Sequence, residues 1–230
     1  DPSARALSPR KDQIHPGAPR PPPPPTRLRR MNKRAHYELA TIHAILDAQP
    51  LCTVAYVVEG QPFATPTLQW REGHHIYWHG SAASRAMEKA EAMPVCVSVF
   101  VLDGMVLARR AFNHSCNYRS VMALGTAFKV TAREDKIARL KAFTDQLYPG
   151  RWDSLKPMTE ADLKATTILG LDLNEASAKI RSGPPGDDPE DVDWPVWGGV
   201  IPTRMAVGAA EADAHTPVGM ALPPLGFFQS

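Results

Sequence analysis

The sequence predicts a mainly β domain with helical insertions, and three observations carry that expectation. Short segments in which apolar and polar residues alternate recur through the middle of the chain, Gly- or Asp-containing turns separate most of them, and few stretches show helical spacing. Such a pattern builds an antiparallel, closed or partly closed barrel rather than a doubly wound parallel sheet. No Gly-x-Gly-x-x-Gly follows a strand, which disfavours a dinucleotide Rossmann site.

Taken in order, residues 1–30 carry the run Pro21 to Pro25 and almost no apolar periodicity, so residues 1–31 are expected to be a disordered, solvated arm with polyproline II character. Its Arg27, Arg29 and Arg30 offer charge to an acidic partner or membrane surface, although a mere leader ahead of Met31 is the blander reading. The segment lacks the apolar centre of a signal peptide. Leu39, Ile42, Ile45 and Leu46 then recur at helical spacing, giving a helix over residues 36–48 that Pro50 ends. Residues 51–58 and 62–70 read as strands joined at Glu59-Gly60-Gln61, and 75–79 as the next strand after Arg71-Glu72-Gly73.

Residues 82–93 are expected to be helical, 94–102 and 105–111 to form a strand pair around Asp103-Gly104, and 118–131 a long strand. Ile137, Leu140 and Phe143 share one side of a helix over 134–147, and residues 165–173 complete the sheet. A folded domain over 32–203 follows. The Ala-, Gly- and Pro-rich residues 204–230 are expected to be a flexible tail with no folded role.

Composition bounds the function. At 230 residues the chain supports a single core of about 150 to 200 residues without disulfides or metal. The formal charge is only +2, and past the arm Lys and Arg are interleaved with Asp and Glu, which disfavours nucleic-acid binding. No run of eighteen or more apolar residues suggests a membrane span. Cys52, Cys96 and Cys116 are odd in number and widely spaced, which suits a reducing, cytoplasmic compartment.

The most informative stretch is Tyr77-Trp78-His79-Gly80-Ser81-Ala82-Ala83-Ser84-Arg85, an apolar strand running into a small, hydroxyl-rich turn ahead of a helix. Free N–H groups of a first helical turn, its dipole, and Ser81, Ser84 and Arg85 together suit a phosphate. Taken alone, Ser81 capping the amide of Ser84 explains the same residues.

Several blocks read together resemble one known family. They are Pro62 to Thr67, His79 to Arg85, Val95 to Val99 with Leu102 to Arg109, Phe112 to Val121, Ala176 to Pro185, and Pro195 to Pro202. In order and spacing, from about Lys33 to Pro202, they resemble the pyridoxamine 5'-phosphate oxidase-like flavin-nucleotide-binding proteins, with likeness to their nitroimidazole-resistance branch.

The resemblance implies an FMN-binding split β-barrel of about six antiparallel strands plus helices, usually a homodimer with its flavin at the subunit interface. It implies FMN as cofactor, Ser84 and Arg85 on its phosphate, Arg119 as a second phosphate ligand, and Thr65, Pro66 and Thr67 along the ring edge. Ser81 and Tyr118 fall in the same blocks, Lys89 lies one turn beyond Arg85, and His79 is expected beside the flavin, ahead of the alternatives of ligating a haem or metal or hydrogen-bonding within a dimer interface. The plainer readings are a solvated helix face for Lys89 and a surface ion pair for Arg119.

The chain also departs from the true oxidases. Thr65 and Gln69-Trp70 stand where those enzymes carry an Arg and a Lys, and Ala86 replaces a Lys after the Ser-Arg pair. Pyridoxine phosphate is therefore disfavoured as substrate.

Trp194 and Trp197 read either as a clamp holding the C-terminal segment on the barrel or as a wall over the flavin ring. His74-His75-x-x-x-His79 lacks helical zinc spacing, so no metal site is expected. No nucleophile-base constellation is apparent, and no catalytic residue is assigned. Two functions remain open: an FMN-dependent oxidoreductase acting on an unidentified small molecule, or a non-catalytic flavin or haem carrier.

Overall fold

The computed structural model describes residues 34–84 and 92–228. The expected arm, and most of the helix expected over 82–93 together with Arg85 and Lys89, lie outside them. The described residues form β1 (Ala35–His36), α1 (Leu39–Ala48), β2 (Leu51–Val58), β3 (Gln61–Glu72), β4 (His75–Ser81), β5 (Pro94–Leu107), β6 (Ser115–Thr126), β7 (Phe128–Lys129), α2 (Arg133–Leu147), α3 (Glu160–Ala165), β8 (Thr166–Asp172), β9 (Glu175–Arg181) and β10 (Gly199–Pro202). Every strand pairing is antiparallel. The sheet runs β1-β9-β6-β5-β2-β3-β4-β8-β7, with β10 added on β5, and its two ends do not pair.

The β2–β3 hairpin shows how the sequence dictates this geometry. Val58 pairs with Gln61, leaving Glu59 and Gly60 as a two-residue loop, and both have positive φ (51° and 80°), the backbone twist that matches right-handed strands. Alternation then sorts each strand. Cys52, Val54, Val95, Val97, Val99 and Val121 point inward to a core completed by Ile42 and Leu46 of α1 and by Leu169 and Leu171 of β8. Each such side chain contributes about 1.5 to 3 kcal/mol when fully buried. At Gly125 of β6 a Cβ would stand 2.9 Å from Leu171 Cδ1, so the two arms of the open sheet meet closely there. On the other face of β4, α2 and α3 cover a second cluster of Trp70, Tyr77, Leu140, Leu163 and Ile168.

Helix termini follow local chemistry. Thr159 and Asp162 form a capping box at α3, and Glu134 and Asp135 sit in the first turn of α2, where the dipole favours them. The C-terminal end of α1 is held from a distance: buried Gln69 donates from Nε2 to the carbonyls of Leu46 and Gln49, both at 2.7 Å.

The structure corrects four expectations. Asp103-Gly104 does not turn a hairpin; β5 continues through it with a register shift, because β6 is long enough to pair with both halves and Arg119 of β6 holds the Asp103 carboxylate. The strand expected over 118–131 begins at Ser115 and ends at Thr126. Beyond it, Ala127 exchanges hydrogen bonds with Ala92 and Met93, and Phe128–Lys129 pair with β8 instead. The first helix starts at Leu39 because Ala35 and His36 pair with β9. Finally, β9, β10 and α3 were not expected as elements. Beyond Thr203 the chain lacks regular structure, yet Gly226 donates to the Leu147 carbonyl and Phe227 meets Tyr148 edge-on. No helix of the described residues is long and apolar enough to cross a membrane.

Candidate functional site

Where β4 ends, a cavity of about 500 Å³, counted to its mouth, opens against β2 and β3. Val54 and Tyr56 of β2, Thr65, Pro66 and Thr67 of β3, and Trp78, His79, Gly80, Ser81 and Ser84 at the end of β4 line it. Register explains the convergence. Val54 faces Thr65, Cys52 faces Thr67 and Tyr56 faces Phe63, so the β3 threonines share the inward side with Val54 and Tyr56. The Tyr56 hydroxyl lies 3.3 Å from Thr65 Oγ1, and its ring stacks on Phe63 at 5.5 Å.

At the cavity mouth, Ser84 N–H donates to the Ser81 carbonyl at 2.9 Å, and Ala83 N–H donates to Ser81 Oγ at 3.2 Å. A tight turn results, anchored by Ala82 N–H on the Ala165 carbonyl at the end of α3. Ser81 therefore does not accept through its side chain from the Ser84 amide, the cap considered from sequence. Ser81, Ala82 and Ala83 are exposed and Ser84 is half-buried, so the turn is open to a ligand. None of the described lining residues is a lysine or arginine. Arg85 and Lys89, the cations expected here from sequence, lie outside the described residues.

His79 lines the cavity while its ring packs against Phe143 at 4.8 Å and edge-on to Trp70 at 6.0 Å. Its Nδ1 is buried without a hydrogen-bond partner among the described residues, and burial lowers its pKa. His43 on α1 is similar. Its buried Nε2 has no partner among the described residues, and burial, with Arg71 and His74 nearby, lowers its pKa against the opposing effect of Asp47.

Thr65, Pro66, Thr67, His79, Ser81 and Ser84 are thus brought together, whereas Tyr118, Arg119 and Trp197 are not. Tyr118 stacks on Phe100 at 5.8 Å with the Lys179 ammonium 6.0 Å from its ring. Arg119 donates to both Asp103 oxygens, at 2.9 and 2.8 Å. Trp197 lies over Gly199 and is 62 % exposed, and Trp194 is 64 % exposed, so neither ring is a buried clamp. Val54, Tyr56, Trp78 and Gly80 were missed from sequence; pairing β2 with β3 by their alternation would have found the first two.

A family model for pyridoxamine 5'-phosphate oxidase matches residues 38–180. The chain belongs to the pyridoxamine 5'-phosphate oxidase family. Among solved structures, the flavocytochrome Anf3 from Azotobacter vinelandii is 43 % identical with a TM-score of 0.85, over 89 % of this chain and 96 % of that one. The FAD and haem binding protein from Mycobacterium smegmatis is 35 % identical with a TM-score of 0.79, over 83 % and 94 %. A 5-nitroimidazole antibiotic resistance protein from Bacteroides thetaiotaomicron, 15 % identical, shares the fold at a TM-score of 0.52 over 64 % and 86 %. No curated protein matches. The open antiparallel sheet is the split barrel of this family, as its members' structures show.

Proposed function

We propose that the chain binds a flavin nucleotide in the cavity at the end of β4 and works as a flavin-dependent oxidoreductase on a small molecule. The observation that carries this is the meeting of an open Ser81–Ser84 turn with Thr65 and Thr67 across a largely apolar cavity, in a member of this family. A flavin nucleotide needs that sequence of surfaces: donors and cations for phosphate, hydroxyls and strand backbone for the ring edge, and apolar walls for the ring. Ser81, Ser84, Arg85 and Lys89 are assigned to phosphate, and Thr65, Pro66 and Thr67 to the ring edge. His79, its pKa lowered by burial, supplies an imidazole beside them. When bound, the flavin carries the electrons, and the protein's part is binding, orientation and exclusion of water.

The sequence resemblance names FMN, while the mycobacterial relative, an FAD and haem binding protein, favours FAD; either flavin would present a phosphate to the same turn. Tyr118, Arg119 and Trp197 lie away from the cavity of their own chain, so a role at flavin would require a second copy. Exposed Leu51, Val57, Leu68, Phe100, Leu102 and Met105 suit a homodimer face. A cytoplasmic location accords with the free Cys52, Cys96 and Cys116.

Haem is a second reading, favoured by the two relatives and by one feature of this chain. His43 and His79 each hold a buried nitrogen with no hydrogen-bond partner among the described residues, and burial lowers both pKa values toward the neutral form that ligates iron. Purification followed by absorption spectroscopy and mass identification of the released cofactor tests both. Flavin bands with FMN or FAD released support the proposal, a Soret band adds haem, and a colourless protein that takes up no flavin overturns it. Stopped-flow reduction by a nicotinamide donor separates oxidoreductase from carrier.

A further inference from the structure

After β9 the chain forms an acidic, aromatic strap that the proposed flavin site does not use. Asp187, Asp188, Glu190, Asp191 and Asp193 fall within seven residues, ahead of Trp194 and Trp197. Two arginines fix the strap. Asp187 accepts from the backbone N–H and the guanidinium of Arg109, both at 2.9 Å, and Asp191 accepts from Arg110. The remaining acids leave the strap net negative. Trp194 is 64 %, Val196 48 % and Trp197 62 % exposed on one short stretch, and Phe112, two residues after the Arg110 that holds Asp191, is 92 % exposed.

The direction of β1 says what meets it. Ala35 pairs with Lys179 and His36 with Ala178, so the chain preceding Ala35 heads toward Arg181 and the start of the strap. That preceding segment carries Arg5, Arg10, Lys11, Arg20, Arg27, Arg29, Arg30 and Lys33 against Asp1 and Asp12, and contains Pro21 to Pro25. Its charge is opposite to the strap's. Its proline rings confine φ to about −65°, and polyproline segments bind aromatic surfaces at low entropic cost. From Ala35, level with Phe100 of β5, to Gly199 of β10, level with Leu107, the sheet spans four strand spacings and about six residues along the strands, roughly 28 Å. The nine residues between Pro25 and Ala35 reach about 30 Å when extended.

We propose that the basic, proline-rich segment before Arg34 docks on the Trp194–Trp197 strap of its own chain, with Pro21 to Pro25 on the tryptophans and Arg27, Arg29 and Arg30 against the acids. Docking shields those arginines from trypsin. The test is the rate of tryptic cleavage at Arg27, Arg29 and Arg30 in the full chain and in two sets of variants. One carries Trp194→Ala with Trp197→Ala, and the other Asp188→Asn, Glu190→Gln and Asp193→Asn, all exposed positions that leave the core intact. Cleavage is expected to speed up about tenfold in either variant, as the undocked population rises, and added salt should speed the wild type. Equal rates in all three proteins overturn the proposal. Protection that disappears on dilution also overturns it, because the strap would then be meeting a second copy.

Discussion

Arg119 closes on Asp103 with two hydrogen bonds of 2.9 and 2.8 Å, across the point where β5 slips register against β6. The hydrogen bonds to Asp103 raise the arginine's pKa. A guanidinium offered by the sequence to a phosphate is occupied, within its own chain, in pinning a bulge. Thr203 N–H adds a bond to the Asp103 carbonyl and draws the chain after β10 to the same place.

Arg119→Ala is expected to lower stability by about 0.5 to 1 kcal/mol, a modest figure because more than a third of its side chain is exposed and solvent screens the pair. Flavin affinity should not change. Denaturant unfolding beside a flavin titration checks both, and a loss of affinity without a loss of stability would return Arg119 to the phosphate.

Arg85→Ala should weaken flavin nucleotide binding by about 1.5 to 3 kcal/mol, the worth of hydrogen bonds to a charged group. Riboflavin has no phosphate and should bind nearly as before. Fluorescence titration with both ligands separates a phosphate contact from damage to the fold, since equal losses would indicate the latter.

Gln69→Ala is expected to cost about 2 to 4 kcal/mol, because it leaves the Leu46 and Gln49 carbonyls without the Nε2 donor and opens a buried hole. A urea melt reads this directly. A loss below about 0.5 kcal/mol would mean that water replaces the amide.

Stability should fall as pH drops below about 6.5, the usual histidine value. His43 and His79 have lowered pKa values when folded, so between those values and 6.5 the unfolded chain binds more protons and acid favours unfolding. Above 6.5 both are neutral in either state and the effect vanishes. Melting temperatures measured at pH 7.5 down to pH 5 should decline less steeply in His79→Asn than in the wild type.

Thiol labelling reports on the outer sheet face. Cys52 is 2 % exposed and burial pushes its pKa up to about 12, so it should stay unlabelled in the native protein. Cys116 should react. Cys96 pairs with Ala55 on the outward side and should label slowly at high protein concentration but faster on dilution, if that face joins two copies.

Local signals made much of this protein legible. Glu59-Gly60 marked a tight hairpin because only residues that accept positive φ can turn two twisted strands in two positions. Ile42, Ile45 and Leu46 marked the buried stripe of α1, and Thr65, Thr67, Ser81 and Ser84, singled out by composition and family likeness, line one cavity. Asp103-Gly104 misled because the same dipeptide suits a turn or a bulge, and the choice depends on a partner strand that starts twelve residues later at Ser115. β9 passed unnoticed as a strand since its Ala176, Ser177 and Ala178 carry little β signal, and only burial against β6 and β1 makes it one.

By itself, then, the amino-acid order determined the antiparallel class, the positions of α1, α2 and the first hairpin, and the residues of the cavity mouth, because these rest on interactions a few residues long. Tertiary structure alone decided that Arg119 answers Asp103, that Gln69 ends a distant helix, and that Trp194 and Trp197 stay largely uncovered by the described chain. Those outcomes depend on which strands become neighbours, a choice made by the burial of the whole core rather than by any local pattern.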